Sequence, residues 1–182
     1  KLFALAHGLG PVKRLNLVAA PLMKQLTQEI GQSCHLVIYY AGKGHVVVQQ
    51  NAPSARVLSV RLGAEAELSN TCSGHILLAF TEEAERSEMI MAIPDSHHKP
   101  TKSALKKIVQ RVRNDGFERI PSPLIQGVQD IGYPVFDHTG AIAAVLVVPF
   151  LAYLDGSHPV KIEDAQLLIE NTAQEITAGL GH

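Results

Sequence analysis

Four places in this sequence hold residue types that could do chemistry. Cys72-Ser73-Gly74-His75 sets a thiol three residues ahead of an imidazole, at what the pattern reads as a helix start, where unpaired N–H groups could lower a thiol pKa and make a nucleophile. The plainer reading carries more weight: a small buried Cys72, with His75 facing solvent or a neighbouring chain. Cys34-His35 and Cys72-x-x-His75 together contain the ligand types of a structural zinc site. Adjacent strand residues point to opposite faces, so Cys34 and His35 can hardly share an ion, and no metal is expected. His97-His98 lies in a polar loop, where simple solvation explains the pair better than a surface cation. Asp130 is a different case, because a carboxylate in an apolar, strand-like segment must face water or find a partner. It is a candidate ligand-binding group.

Enzyme signatures are missing. The chain has no GxGxxG, P-loop, GxSxG elbow, HExxH or EF-hand loop, so no cofactor is expected. Its 182 residues carry 16 Lys and Arg against 17 Asp and Glu, a formal net charge of -1, which argues against a free-standing nucleic-acid binder. At 46% hydrophobic and 18% charged, the chain can bury the core of one domain. Two cysteines are too few for a disulfide framework, and no Asn-x-Ser/Thr acceptor occurs, so a reducing cytoplasm is the expected compartment. The longest apolar run, residues 141–154, is shorter than the ~20 residues of a membrane-spanning helix and is interrupted by Pro149.

These groups need elements to position them. Residues 1–7 read as the tail of a helix with no start signal, which predicts a preceding module. After the break at Gly8, Gly10 and Pro11, apolar residues from Leu15 to Ile30 recur at three- and four-residue steps, predicting an amphipathic helix capped by Asn16, bent near Pro21 and stopped at Gly31. Residues 34–41 and 45–50 read as a hairpin, with Gly42-Lys43-Gly44 supplying the turn. Residues 56–62 alternate like a strand. Residues 71–80 suit a buried helix, and 82–91 another. A polar loop at 94–100 precedes a helix capped by Thr101, with Leu105, Ile108, Val109 and Val112 on one face and basic residues elsewhere. Residues 128–135 alternate before a turn at Asp137 to Gly140. Residues 141–148 are wholly apolar, as a central strand covered on both faces would be. A last amphipathic helix carries Ile162, Ala165, Ile169, Ala173 and Ile176. The sum is an α+β domain, an antiparallel sheet flanked by helices.

Four passages, in this order along the chain, resemble the effector-binding region of IclR-type bacterial transcription regulators, whose C-terminal domain has a GAF-like fold. They are Leu15-Asn-Leu-Val-Ala-Ala-Pro21 leading through Leu26 to Cys34-His-Leu-Val; Val60-Arg-Leu-Gly63 with Ser73-Gly74 and Leu78-Ala79; Arg113-Asn-Asp-Gly116-Phe117; and Gly127 with Tyr133-Pro-Val-Phe-Asp137-x-x-Gly140. Each is degenerate alone, and together they cover nearly the whole chain. The resemblance implies that residues 1–14 end a linker helix from a winged helix-turn-helix module, and that 15–182 form an effector-binding and oligomerisation domain. DNA would be held only through that preceding module. The expected partners are a small organic effector and further copies of the chain, as a homodimer or homotetramer. It also implies a ligand cavity between the sheet and residues 68–74, with Cys72, Ser73 and Gly74 offering N–H groups at a helix start. Val60, Ala66 and Leu68 would line one wall, Ile120 and Asp130 another, and Val147 and Pro149 the sheet floor.

The departures from that family pattern bear on the ligand. Consecutive acidic residues are common after Gly116-Phe117, but here the segment reads Glu118-Arg-Ile-Pro-Ser-Pro123. Val147 and Pro149 replace small hydroxyl residues, Glu67 stands for a common proline, and Asp130 occupies a commonly small or thiol position. A carboxylate there disfavours an anionic ligand unless protonated or paired. The effector is then larger and more apolar than a two- or three-carbon acid, or the pocket is remodelled, or ligand sensing is lost. Two alternatives stay open: a small GAF-like thiol enzyme using Cys72, and an oligomerisation domain without ligand.

Overall fold

Helix α1 spans Gly10–Ile30 and buries Leu15, Ala19, Met23, Leu26 and Ile30 along one stripe. The computed structural model describes residues 10–54, 57–94, 100–153, 156 and 160–181. The expected linker tail at 1–7 and the His97-His98 pair therefore lie outside the described residues. Asn16 is no cap: the helix already runs through it, with Pro11 in the first turn, where a missing N–H costs nothing. The helix is continuous across residues 14 and 15 and through Pro21. Gly31 ends it at φ +66°, a left-handed conformation that favours glycine.

Strands β1 (Cys34–Tyr40) and β2 (Lys43–Gln50) form the expected hairpin. Its turn is one step earlier than the glycine pattern suggests: Ala41 and Gly42 have φ +48° and +87°, the mirror-image turn that matches strand twist. The strand expected at 56–62 does not form. Arg56 lies outside the described residues, and 57–61 have no ladder. Their place beside β2 is taken by the next turn, where Gly63 N–H donates to the Val46 carbonyl at 2.8 Å and Val46 N–H to the Ala64 carbonyl at 3.0 Å. On that edge, only the two residues of β3 (Glu65–Ala66) pair with β2.

Helices α2 (Cys72–Phe80), α3 (Glu83–Met91) and α4 (Lys102–Asp115) follow as the pattern predicts. Thr71 and Thr101 cap α2 and α4, each side chain accepting the N–H three residues on. Strand β4 (Glu118–Pro121) is unforeseen. Strands β5 (Val128–Phe136) and β6 (Ile142–Leu151) and helix α5 (Ile162–Leu180) complete the chain.

Among the described residues six strands make one antiparallel sheet in the order β3-β2-β1-β6-β5-β4. The apolar β6 run is central because both its faces are covered. Ala144, Leu146, Val148 and Phe150 pack in the core beneath α1 and α5, whereas Val145 and Val147 join the core under α2 and α4. Just before β1 begins, the side-chain amide of Gln32 continues the pairing with β6, donating to the Leu151 carbonyl at 3.1 Å and accepting from Leu151 N–H at 3.3 Å.

Register decides what lies under α2. His35 on β1 pairs with Val147 on β6, Val147 with Gly132 on β5, and Gly132 with Glu118 on β4. The neighbouring row holds Pro149, Asp130 and Ile120. All seven face α2, since side chains alternate along a strand. Gly132 has no side chain because the helix leaves no room: a Cβ there would stand 2.7 Å from Cys72 Sγ and 2.8 Å from Ile76 Cδ1.

Candidate functional site

A cavity of about 140 Å³ opens beside the N-terminus of α2, over the row that carries Pro149 and Asp130. Seven of the ten residues expected from sequence line it: Val60, Ala66, Cys72, Ser73, Asp130, Val147 and Pro149. The other three do not. Leu68 is buried in the core at 3% exposure. Gly74 is a packing residue, since a Cβ would sit 2.4 Å from the Glu67 carbonyl oxygen and its N–H is already given to the Thr71 hydroxyl at 3.0 Å. Ile120 neighbours Asp130 in register but packs against the α2 core.

The lining also takes in residues that neither spacing nor the family pattern marks as ligand contacts, among them His35, Thr71, Ser122, Leu124 and Ile125. From sequence alone, His35 stands out only as half of a Cys34-His35 metal pair. The register shows why that pairing fails: Cys34 joins the core beneath α1, while His35 turns to the cavity. The ring is only 7% exposed, and among the described residues it has no hydrogen-bond partner. Burial pushes its pKa down to about 4, so it is neutral at physiological pH. Asp130 faces the same space. Burial raises its pKa from the ordinary value of an aspartate, and a hydrogen bond from Ser122 partly offsets that.

Cys72 is no activated nucleophile. Its Sγ is buried at 1% exposure and donates to the Glu118 backbone carbonyl at 3.5 Å. Burial, with the nearby charges of Asp130 and Glu118, drives the thiol pKa well above its ordinary value rather than below it. His75 does not face solvent or another chain. It is 6% exposed, with Nδ1 3.0 Å from Glu118 Oε2 and Nε2 3.1 Å from the Ser69 carbonyl oxygen. Arg111 on α4 reaches the same carboxylate, Nη2 donating to Oε1 at 2.6 Å and Oε2 at 2.9 Å. The network ties α4, β4, α2 and the loop before α2 into one unit, and it explains why an acidic residue is tolerated at a 2%-exposed strand position.

Four larger cavities lie among the described residues. One, of about 510 Å³, lies between the start of α1, the β1–β2 turn and the turn after β5, with Arg14 and His138 exposed and Asp137 half-buried. Another, of about 880 Å³, runs beside the start of α5, where Lys161, Glu163 and Asp164 are exposed. A third, of about 480 Å³, is lined by Phe117, Tyr133, Gln166 and Glu170, and a fourth, of about 430 Å³, by Thr81, Glu82, Glu85 and Thr139. The smaller cavity differs in kind, because a buried imidazole, a partly buried carboxylate and the buried Ser73 converge on it. Convergent polar groups in apolar walls are what mark ligand sites.

An antiparallel sheet layered between helices, with such a cavity at a helix start, is the α+β, GAF-like architecture expected from the sequence pattern. Residues 11–177 match the family model for the bacterial transcriptional regulator IclR C-terminal region, and the chain belongs to that family. Its members are transcription regulators, not enzymes. The chain is 23% identical over 149 residues to the HTH-type transcriptional regulator XynR of Escherichia coli (strain K12), covering 80% of this chain and 56% of that protein. The structure is similar to that of Thermotoga maritima IclR, with a TM-score of 0.77 at 23% identity over 94% of this chain and 71% of the other. It is also similar to an IclR homolog from Microbacterium hydrocarbonoxydans complexed with 4-hydroxybenzoate, with a TM-score of 0.78 at 20% identity, covering 98% and 73%. The chain spans about half the length of the curated relatives it matches. Among the described residues, no helix is long and apolar enough to cross a membrane.

Proposed function

We propose that this domain senses a small organic effector in the cavity beside α2 and, as part of a homo-oligomer, passes the occupancy to DNA-binding winged helix-turn-helix modules that precede it in a cytoplasmic regulator. The observation that carries this reading is the convergence of His35, Asp130 and Ser73 on one cavity in a chain of the IclR family. Residues 1–14 would form the mechanical link, with 10–14 already the first turn of α1. The effector must bind two arrangements of the oligomer with different affinity, because equal affinity shifts nothing however tight the binding. A structural relative that carries 4-hydroxybenzoate supports a ring-sized ligand.

A second reading, assembly without a ligand, is favoured by the cavity's volume, about 140 Å³, which lies below the usual 300–1,000 Å³ of ligand pockets. Native mass spectrometry of the protein, followed by a thermal-shift screen of small acids, phenols, alcohols and sugars, separates the two. A compound that raises Tm in the wild type, with the rise reduced by Ser73→Ala or Asp130→Asn, supports the sensor. An oligomer that carries no ligand and is stabilised by no compound supports assembly alone.

A further inference from the structure

The lining of the cavity restricts the charge of what it can hold, and this inference rests on the effector-site reading above. Among its described residues there is no Lys or Arg. Two carboxylates face it, Asp130 and Glu65, and the second is paired with Lys43 at the exposed rim. His35, the remaining ionisable group with a ring in the wall, is neutral where it sits. The helix start supplies less attraction for an anion than its position suggests, because the Thr71 hydroxyl already takes the Gly74 N–H. What is left there is the Ser73 hydroxyl and the N–H groups of Cys72 and Ser73, which suit a neutral oxygen as well as a charged one.

The polar groups also have a geometry. His35 and Asp130 lie on the two strands that flank β6, opposite Val147 and Pro149 respectively. With strands about 4.8 Å apart and a rise of about 3.4 Å per residue, their Cα atoms stand roughly 12 Å apart across the floor. One compact molecule between them can meet both side chains. A dry cavity of about 150 Å³ is known to hold benzene, so the present volume of about 140 Å³ fits a body of that size. Leu124 and Ile125, 87% and 42% exposed, stand at the mouth as apolar cover.

We infer that this cavity takes a small non-anionic molecule with a body no larger than a substituted six-membered ring, which donates a hydrogen bond to Asp130 and engages the ring of His35: an alcohol, phenol or amine rather than a carboxylate. A carboxylate in the same place would meet Asp130 with no cation to separate them. His35 has no hydrogen-bond partner among the described residues, and the ligand supplies one.

The test is an NMR titration of the 182-residue chain carrying labelled histidine, with the His35 ring signal assigned through His35→Gln. Phenol, benzyl alcohol, benzylamine and benzoate are the probes, all at neutral pH. The expected result is that at least one of the three non-anionic probes moves the His35 signal with a Kd at least tenfold below that of benzoate, and that Asp130→Asn narrows the gap by improving benzoate. Benzoate binding as tightly as the others, with His35 shifted, overturns the ligand class while leaving the effector cavity in place. If none of the four moves His35, both the ligand class and the cavity's role as the effector site fail together.

Discussion

The carboxylate of Glu118 on β4 lies against His75 of α2, Oε2 to Nδ1 at 3.0 Å, while Arg111 of α4 closes on it from the other side. Through His75 Nε2 the same contact reaches the Ser69 carbonyl, in the loop that leads into the cavity. The helix start is therefore held in place by a charge set in the sheet. Removing one member of a buried ionic group costs roughly 3 to 5 kcal/mol, less where a partner is half exposed as Arg111 is. Glu118→Gln should lower unfolding free energy by about 2 to 4 kcal/mol. Urea denaturation at pH 7 checks this, and a change under about 0.5 kcal/mol would show that the network is ornamental.

Acid should expose His35. Its pKa is about 4 in the folded chain against an ordinary 6.5, so between those values the unfolded chain binds a proton that the folded one refuses. The contribution is fully present above pH 6.5 and is lost as pH falls toward 4, on the order of 3 kcal/mol in all. Asp130 acts in the opposite sense: its folded pKa is raised, so its contribution is full at low pH and is lost as pH rises through that value. Of the other titratable groups lining the cavity, Glu65 is held below its usual range by Lys43, and Cys72 stays protonated throughout. Stability profiles measured at half-unit steps should be flatter for His35→Gln than for the wild type between pH 4 and 6.5. Superimposable profiles contradict a buried neutral His35.

Gly132 and Cys72 form a size-matched pair across the helix and sheet. A Cβ at residue 132 meets Sγ and the Ile76 methyl closer than atoms pack, and overpacking of that kind costs about 1 to 3 kcal/mol. Gly132→Ala should therefore destabilise the chain, and adding Cys72→Ala should restore part of the loss by vacating the sulfur's place. Denaturation midpoints of the two single variants and the double variant test the coupling, and strict additivity of the losses sinks it.

Neither thiol should behave as a nucleophile. Burial pushes Cys34 up to about 12 and Cys72 well above its ordinary value. In native protein both should react with an aromatic disulfide reagent only as fast as the structure opens, and promptly in 6 M guanidinium as the denatured reference. Fast labelling of Cys72 in the native state would revive the thiol-enzyme alternative.

Most of the architecture was legible because it rests on periodicity. The stripe of α1, the capping threonine at 101, the β1–β2 hairpin and the doubly covered β6 all declare themselves in apolar spacing and turn chemistry. Strand β4 did not, since four residues are too few to show alternation, two nearby prolines imitate a loop, and its buried position carries Glu118 instead of an apolar residue. Residues 57–61 erred the other way: they alternate, but the turn at Gly63 and Ala64 has already taken the β2 edge. At the site, Asp130 stood out as a carboxylate in an apolar strand, and the family pattern pointed to Ser73 and Cys72. His35 could not be placed in the cavity from spacing alone, because only register sets it opposite Val147. His75 looked like a surface residue for the same reason, its partner Glu118 being 43 positions away.

The most direct trial of the account is a crystal structure of the chain grown with a compound that raises its Tm. The account predicts ligand density in the cavity beside α2, within hydrogen-bond distance of Asp130 and in contact with His35 and Ser73. Density instead between Arg14 and His138, or beside Lys161, with the α2 cavity empty, would contradict it.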